Sequence, residues 1–291
     1  MHLLLPLVSS LLYVVAALSL RQAAEQRVGV WRTAFVCNWF TALLFLGLLP
    51  LGGAIPHGVH LWEPALVALL FVAGQLFTFL ALDKGDVSIA TPVLGVKVIL
   101  VALFTTLVLS ESVRWQLWLS ATLSCVGIGM LNGKHHGTRN PHAPRTILFA
   151  LQAAAAYAFF DVLVMKWSSA WGIGRFLPIM LLFAGAYTFA FIPLFRQPLR
   201  SIPKTALKPL FWGAFFIALQ GFILITTLAR FGDATAVNVV YSSRGLWSVL
   251  AVWWLGHWFD NTEREQGAKV LGWRLAGACF LCVSVVLVFV K

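Results

Sequence analysis

Lys97 and Arg244 are cations set where cations are costly. Lys97 lies in the apolar run VLGVKVIL and Arg244 in VYSSRGLW. Each follows a Gly-Asp turn at the same interval: 147 positions separate Gly85 from Gly232, and the same 147 separate Lys97 from Arg244. The apolar runs start at Val87 and Ala234. At about 1.5 Å per helical residue, both cations reach roughly 15 Å into a hydrocarbon layer about 30 Å thick. A mid-bilayer Lys or Arg costs about 2.5–3.5 kcal/mol on insertion scales. A pair kept at matched depth suggests an anion clamp. The rival role is structural, in which each cation pairs with a carboxylate or with backbone carbonyls.

Asp161, in AYAFFDVLVMKW, is the carboxylate clearly inside an apolar run. Three roles stay open for it: a proton-coupling group, the buried counter-ion of Lys97 or Arg244, or a residue near a membrane interface. Lys166 follows five residues later, on a different helical face, and is a poor partner. Tyr241 and Ser248 stand three before and four after Arg244, on its face of a helix. Asn238 is a further turn away, at the position equivalent to Thr91. These side chains are candidates to orient a bound anion. Gln75 and Gln220 are polar and mid-run; substrate contact and helix–helix hydrogen bonding are both open to them.

The elements that must position these residues are helices. Ten apolar segments approach the roughly 20 residues needed to cross a bilayer: 3–20, 33–52, 64–82, 87–109, 114–132, 146–165, 176–195, 209–229, 234–256 and 270–290. This reads as an all-α integral membrane protein of ten transmembrane helices. The repeat at 147 makes residues 1–132 a first five-helix repeat and 146–291 a second, with 133–145 a basic linker. Five spans per repeat is odd, so the second copy runs inverted, as in many secondary transporters. Residues spaced four apart, such as Ser120 and Ser124, Ala121 and Cys125, or Gly272 and Ala276, suit close helix packing in lipid.

Composition agrees. The 291 residues are 60% hydrophobic and 11% charged, against about 25% charged in soluble domains. The net charge of +11 is scattered over short loops, which argues against nucleic-acid binding and for topology and anionic lipid as its partners. Cations in the loops after odd-numbered spans, Arg32 among them, outnumber those on the other side. Counted that way, both termini lie outside. Cys37, Cys125, Cys279 and Cys282 sit in apolar runs, and the CxxC of the last two lacks further ligands. His57, His60, His135 and His136 read as loop residues. No metal site, cofactor or catalytic constellation is expected, and the chain is not read as an enzyme. The first apolar run lacks a basic leader segment and is read as a retained span.

The segment ALDKGDVSIATPVLGVKVILVALFTTLVLSESVRWQLWLSATLSCVGIGML resembles the drug/metabolite transporter superfamily in its ten-span EamA-like form. The shared features are the Gly-Asp turn, the apolar fourth span closed by Ser110-Glu111, and a Gly-rich fifth-span end at Gly127 and Gly129. The second copy starts alike in ATAVNVVYSSRGLWSVL and departs at GHWFDNTEREQG. The resemblance implies a secondary transporter working by alternating access, in a bacterial inner membrane, as a monomer or homodimer. It also implies cytoplasmic termini, against the cation count. In similar nucleotide-sugar and phosphate-ester carriers a basic residue of span 4 or 9 meets the phosphate. Lys97 and Arg244 occupy such positions, which points to a small organic anion, phosphorylated or not, with protons as a candidate coupling ion. Alternatives are an exporter of amino acids or hydrophobic metabolites with structural cations, or a non-transporting lipid-binding subunit.

Overall fold

The computed structural model describes residues 2–54, 61–83, 87–132, 143–255 and 268–290. Every regular element among them is helical. Helices α1 (Leu4–Glu25), α2 (Val30–Phe45), α3 (Trp62–Asp83), α4 (Val87–Gly95), α5 (Lys97–Leu109) and α6 (Trp115–Asn132) form the first half. The second half holds α7 (Ala143–Trp171), α8 (Ile173–Tyr187), α9 (Lys204–Phe231), α10 (Ala234–Ser242), α11 (Arg244–Leu255) and α12 (Ala268–Phe289). Taking α4 with α5 and α10 with α11, these are the ten helical segments expected. Among the described residues, seven stretches are long and apolar enough to cross a bilayer; the apolar parts of α6 and α12 are shorter.

Local backbone chemistry repeats between the halves. Gly29 and Gly172 precede α2 and α8 with φ of 81° and 78° and the same ψ of 142°. That left-handed region favours glycine because a Cβ is disfavoured there. Both helices then tighten into 3₁₀ turns, Leu46–Leu51 and Thr188–Leu194, each containing a proline, Pro50 and Pro193. Proline removes a backbone donor and so disrupts the α-helical ladder. In the other repeated pair, the Val96 amide bonds to the Val93 carbonyl and the Ser243 amide to the Val240 carbonyl, both at 3.1 Å. Each is a three-residue bond inside a four-residue ladder, and it divides the span just before the cation. At α10 the Asp233 carboxylate accepts from the Ala236 amide at 3.1 Å, capping the helix start. Asp86, its sequence counterpart, lies outside the described residues, as do the linker residues 133–142 and His57, His60, His135 and His136.

The chain forms two compact units, and each draws on both halves of the sequence. Unit 1 is Met1–Val72 with Leu163–Gly232; unit 2 is Ala73–Val162 with Asp233–Lys291. Two of the three divisions fall inside α3 and α7, and the third falls between α9 and α10. In unit 1, α1 packs along α9, and α2 packs on α8 and α9. Ser9 Oγ donates to the Gln220 carbonyl at 2.9 Å and lies 3.2 Å from its Oε1. Arg32, counted among the loop cations from sequence, is buried in the first turn of α2 at 4% exposure. Its guanidinium donates to the carbonyls of Val28, Arg27 and Pro198 and to Ser201 Oγ. It is a structural tie at the start of α2.

In unit 2, α6 crosses α12 at two glycines. A Cβ on Gly127 would sit 2.9 Å from the Gly277 carbonyl oxygen, and one on Gly277 would sit 2.9 Å from that of Gly127. The backbones touch, so only glycine fits both positions. Gly272, one of the small residues read from sequence, has open space around its Cβ position. Beside the crossing, Ser242 Oγ donates to Ser124 Oγ at 3.1 Å, and Ser124 Oγ to Ser284 Oγ at 2.9 Å. Ser284 in turn donates to the Leu281 carbonyl at 2.8 Å. This chain of buried hydroxyls ties α6, α10 and α12 together.

Candidate functional site

Lys97 is the first residue of α5, directly after the tightened turn at Val96. Its Nζ lies 2.8 Å from Oδ2 of Asp161 on α7. Asn238 on α10 donates its amide to the same oxygen at 2.7 Å, and also to the Ala234 carbonyl at 2.9 Å. Asp161 and Asn238 are 2% and 3% exposed. Residues from three helices of unit 2 thus meet at one carboxylate oxygen. Such a pair is roughly neutral for stability as a whole, because desolvation offsets the Coulomb attraction. Its weight lies in fixing which groups face each other.

Tyr157 stands one helical turn before Asp161. Its ring centroid is 5.8 Å from Lys97 Nζ, within cation–π range. The ring presses on α3 at Gly74, where a Cβ would come within 2.8 Å of it. Tyr157 was not singled out in the sequence; its spacing from Asp161 was the available signal. Also buried in unit 2 are the Thr105 and Thr235 hydroxyls, which lack hydrogen-bond partners among the described residues. Thr235 is one turn from Asn238 on α10.

Arg244 repeats the placement of Lys97 as first residue of α11, after the turn at Ser243. It is half-buried. Its Nη1 donates to Tyr241 Oη at 3.2 Å, and the guanidinium carbon lies 4.7 Å from the Tyr241 ring centroid. Tyr241 and Asn238 are three residues apart, so α10 carries the partner of Arg244 and a donor to the carboxylate that pairs Lys97 on successive turns, about 4.5 Å along its axis. Ser248 is half-buried one turn beyond Arg244, and Gln75 is half-buried beside Gly74. Gln220 belongs to unit 1, where it is tied to Ser9. The structure therefore brings Lys97, Asp161 and Asn238 into direct contact, pairs Arg244 with Tyr241, and gives Gln220 a helix–helix bond. Among the described residues, no cluster of three or more His, Cys, Asp or Glu could hold a metal.

Residues 1–133 match the EamA-like transporter family. A solved structure titled only "Crystal structure of protein" has the same fold, with a TM-score of 0.69 and 15% sequence identity, covering 99% of this chain and 96% of that one. No curated protein matches. The EamA-like region takes in α1 to α6, and with them Lys97 and the turn at Val96. The match over residues 1–133 and the apolar helices support an integral multi-pass membrane protein.

Proposed function

We propose that this EamA-like chain is a secondary transporter of a small organic anion, with Lys97 and Arg244 as its anion-holding residues. The observation that carries this reading is the repeated placement of a cation at the start of a half-helix, straight after the same break in the span. Half-helix N-termini carry a partial positive charge, and broken spans supply the ligand sites of many transporters. A cation added there makes a local field suited to a carboxylate or phosphoryl group. Tyr241, Asn238 and Ser248 lie within one or two turns of Arg244 and orient the cargo, and Gln75 is a further polar contact. The five-helix repeats run inverted about a membrane-plane axis, and alternating access follows from their exchange. The cargo crosses a cell membrane, a bacterial inner membrane in this reading.

The experiment is counterflow into proteoliposomes with a radiolabelled panel of carboxylates, phosphate esters and amino acids. An anion should be carried, and Lys97→Ala and Arg244→Ala should each slow it at least about tenfold, equivalent to about 1.4 kcal/mol of lost interaction. Unchanged anion transport by both variants would sink the clamp.

The 2.8 Å ion pair between Lys97 and Asp161 favours a second reading, in which the cations are structural and the cargo is neutral or zwitterionic. Ligand-induced stabilisation separates the two. Cations that hold cargo lose that stabilisation on substitution, whereas structural cations lose intrinsic stability and keep it.

A further inference from the structure

The Lys97–Asp161–Asn238 cluster already has the form of an occupied anion site. Lys97 Nζ and Asn238 Nδ2 both address Asp161 Oδ2, at 2.8 and 2.7 Å. An ammonium and an amide converging on one oxygen are the donors that a cargo carboxylate or phosphoryl oxygen requires. Resting on the reading of Lys97 as an anion-holding residue, we infer that Asp161 is an internal stand-in for the cargo, and that an anion enters only as a proton neutralises it.

The argument is one of charge. Lys97 and Asp161 sum to zero in a site where Asp161 is 2% exposed. Adding a monoanion to the intact pair would leave one uncompensated negative charge in a buried setting, which is strongly disfavoured. A proton on Asp161 removes that conflict. In the balanced step, a proton from water forms an O–H bond on Asp161 and the ionic contact to Lys97 is lost. The ammonium then pairs with the oxygen of the anion. Nothing is oxidised or reduced, and the buried charge is zero before and after. Release of the anion reverses the step and returns the proton to water. Each monoanion thus moves with one proton, and the pair crosses without net charge.

Among the described residues, the helices around Asp161 carry few groups that could substitute for it. On α5 the one charged residue is Lys97, and α4 has none. On α10 the titratable group is the Tyr241 phenol, with neutral Asn238 beside Asp161. On α7 itself lie Tyr157, one turn before, and Lys166 and Arg145 further along. The part of α3 within unit 2 brings neutral Gln75 and, at its end, Asp83. Asp161 is thus the carboxylate bonded to Lys97.

The test uses the purified full chain and two probes whose own charge is fixed between about pH 6 and 8, benzoate and sulfate. Calorimetry in buffers of different ionisation heat counts protons taken up on binding. Wild type should take up one proton per benzoate bound, and its apparent Kd should weaken as pH rises. Asp161→Asn should bind with no proton uptake and no pH slope, and Lys97→Met should bind neither probe. Binding that needs Lys97 but takes up no proton, or an unchanged pH slope in Asp161→Asn, overturns the latch and leaves the clamp standing. Binding of neither probe by wild type, or binding undiminished in Lys97→Met, overturns the clamp and the latch with it. If Asp161→Asn fails to fold, the proton count on wild type decides alone.

Discussion

Lys97 and Arg244 occupy the same place in two copies of one broken helix, yet their surroundings differ. Lys97 meets a buried carboxylate, Asp161, which is also held by Asn238. Arg244 is half-buried and leans on a phenol, Tyr241, by both its hydroxyl and its ring. The backbone break before each cation is the same, down to the 3.1 Å bonds at Val96 and Ser243. The lesson is that chain-local geometry fixes where the cation sits, while the neighbouring helices fix what the cation does. One cation meets a carboxylate; the other meets a phenol.

The sharpest way to break this contrast is Asp161→Ala. It strands the Lys97 ammonium beside a buried cavity, where loss of one partner of a buried pair costs about 3–5 kcal/mol. The lower end is expected, because the Lys97 side chain keeps 19% exposure. Thermal unfolding in detergent measures it, and a loss as small as that of a surface substitution would show that the pair is not the latch of the first copy. Next in size is Asn238→Leu, which removes a hydrogen bond to a charged group and should cost about 1.5–3 kcal/mol in the same assay. If stability is unchanged, α10 does not hold Asp161. Smallest is Tyr241→Phe, which keeps the ring over Arg244 and deletes the hydroxyl. About 0.5–1.5 kcal/mol is expected. A loss as large as that of Asp161→Ala would erase the difference between the two sites.

Much of the fold was legible because lipid imposes a simple rule: long apolar runs become helices. The ten runs fall on helical segments, and the repeat at 147 reappears as matched backbone breaks. The breaks themselves were hidden, since VLGVKV and YSSRGL carry no proline at the break and read as continuous helix. Partner choice was hidden too. Asp161 stood out as an in-span carboxylate, but sequence could not say which cation it faces; that depends on how α5, α7 and α10 pack. The role of Arg32 was hidden as well. A cation near a span start looks like a loop charge, and only tertiary packing reveals the carbonyls that surround it. The α6–α12 crossing chose Gly277 over Gly272, because helix rotation within a packed pair, rather than the spacing of small residues alone, decides which face is buried.

The interlacing of the two compact units sets a timetable for synthesis. Neither unit can close on a contiguous stretch of chain. Unit 1 needs α9, which packs along α1, so α1 waits in the membrane through the making of seven further helices before its long partner arrives. Unit 2 waits longer, since the glycine crossing needs α12. A ribosome stalled after α6 would thus leave behind inserted helices with neither unit assembled. Insertion and assembly are separate events here, and α12 governs the second of them in unit 2.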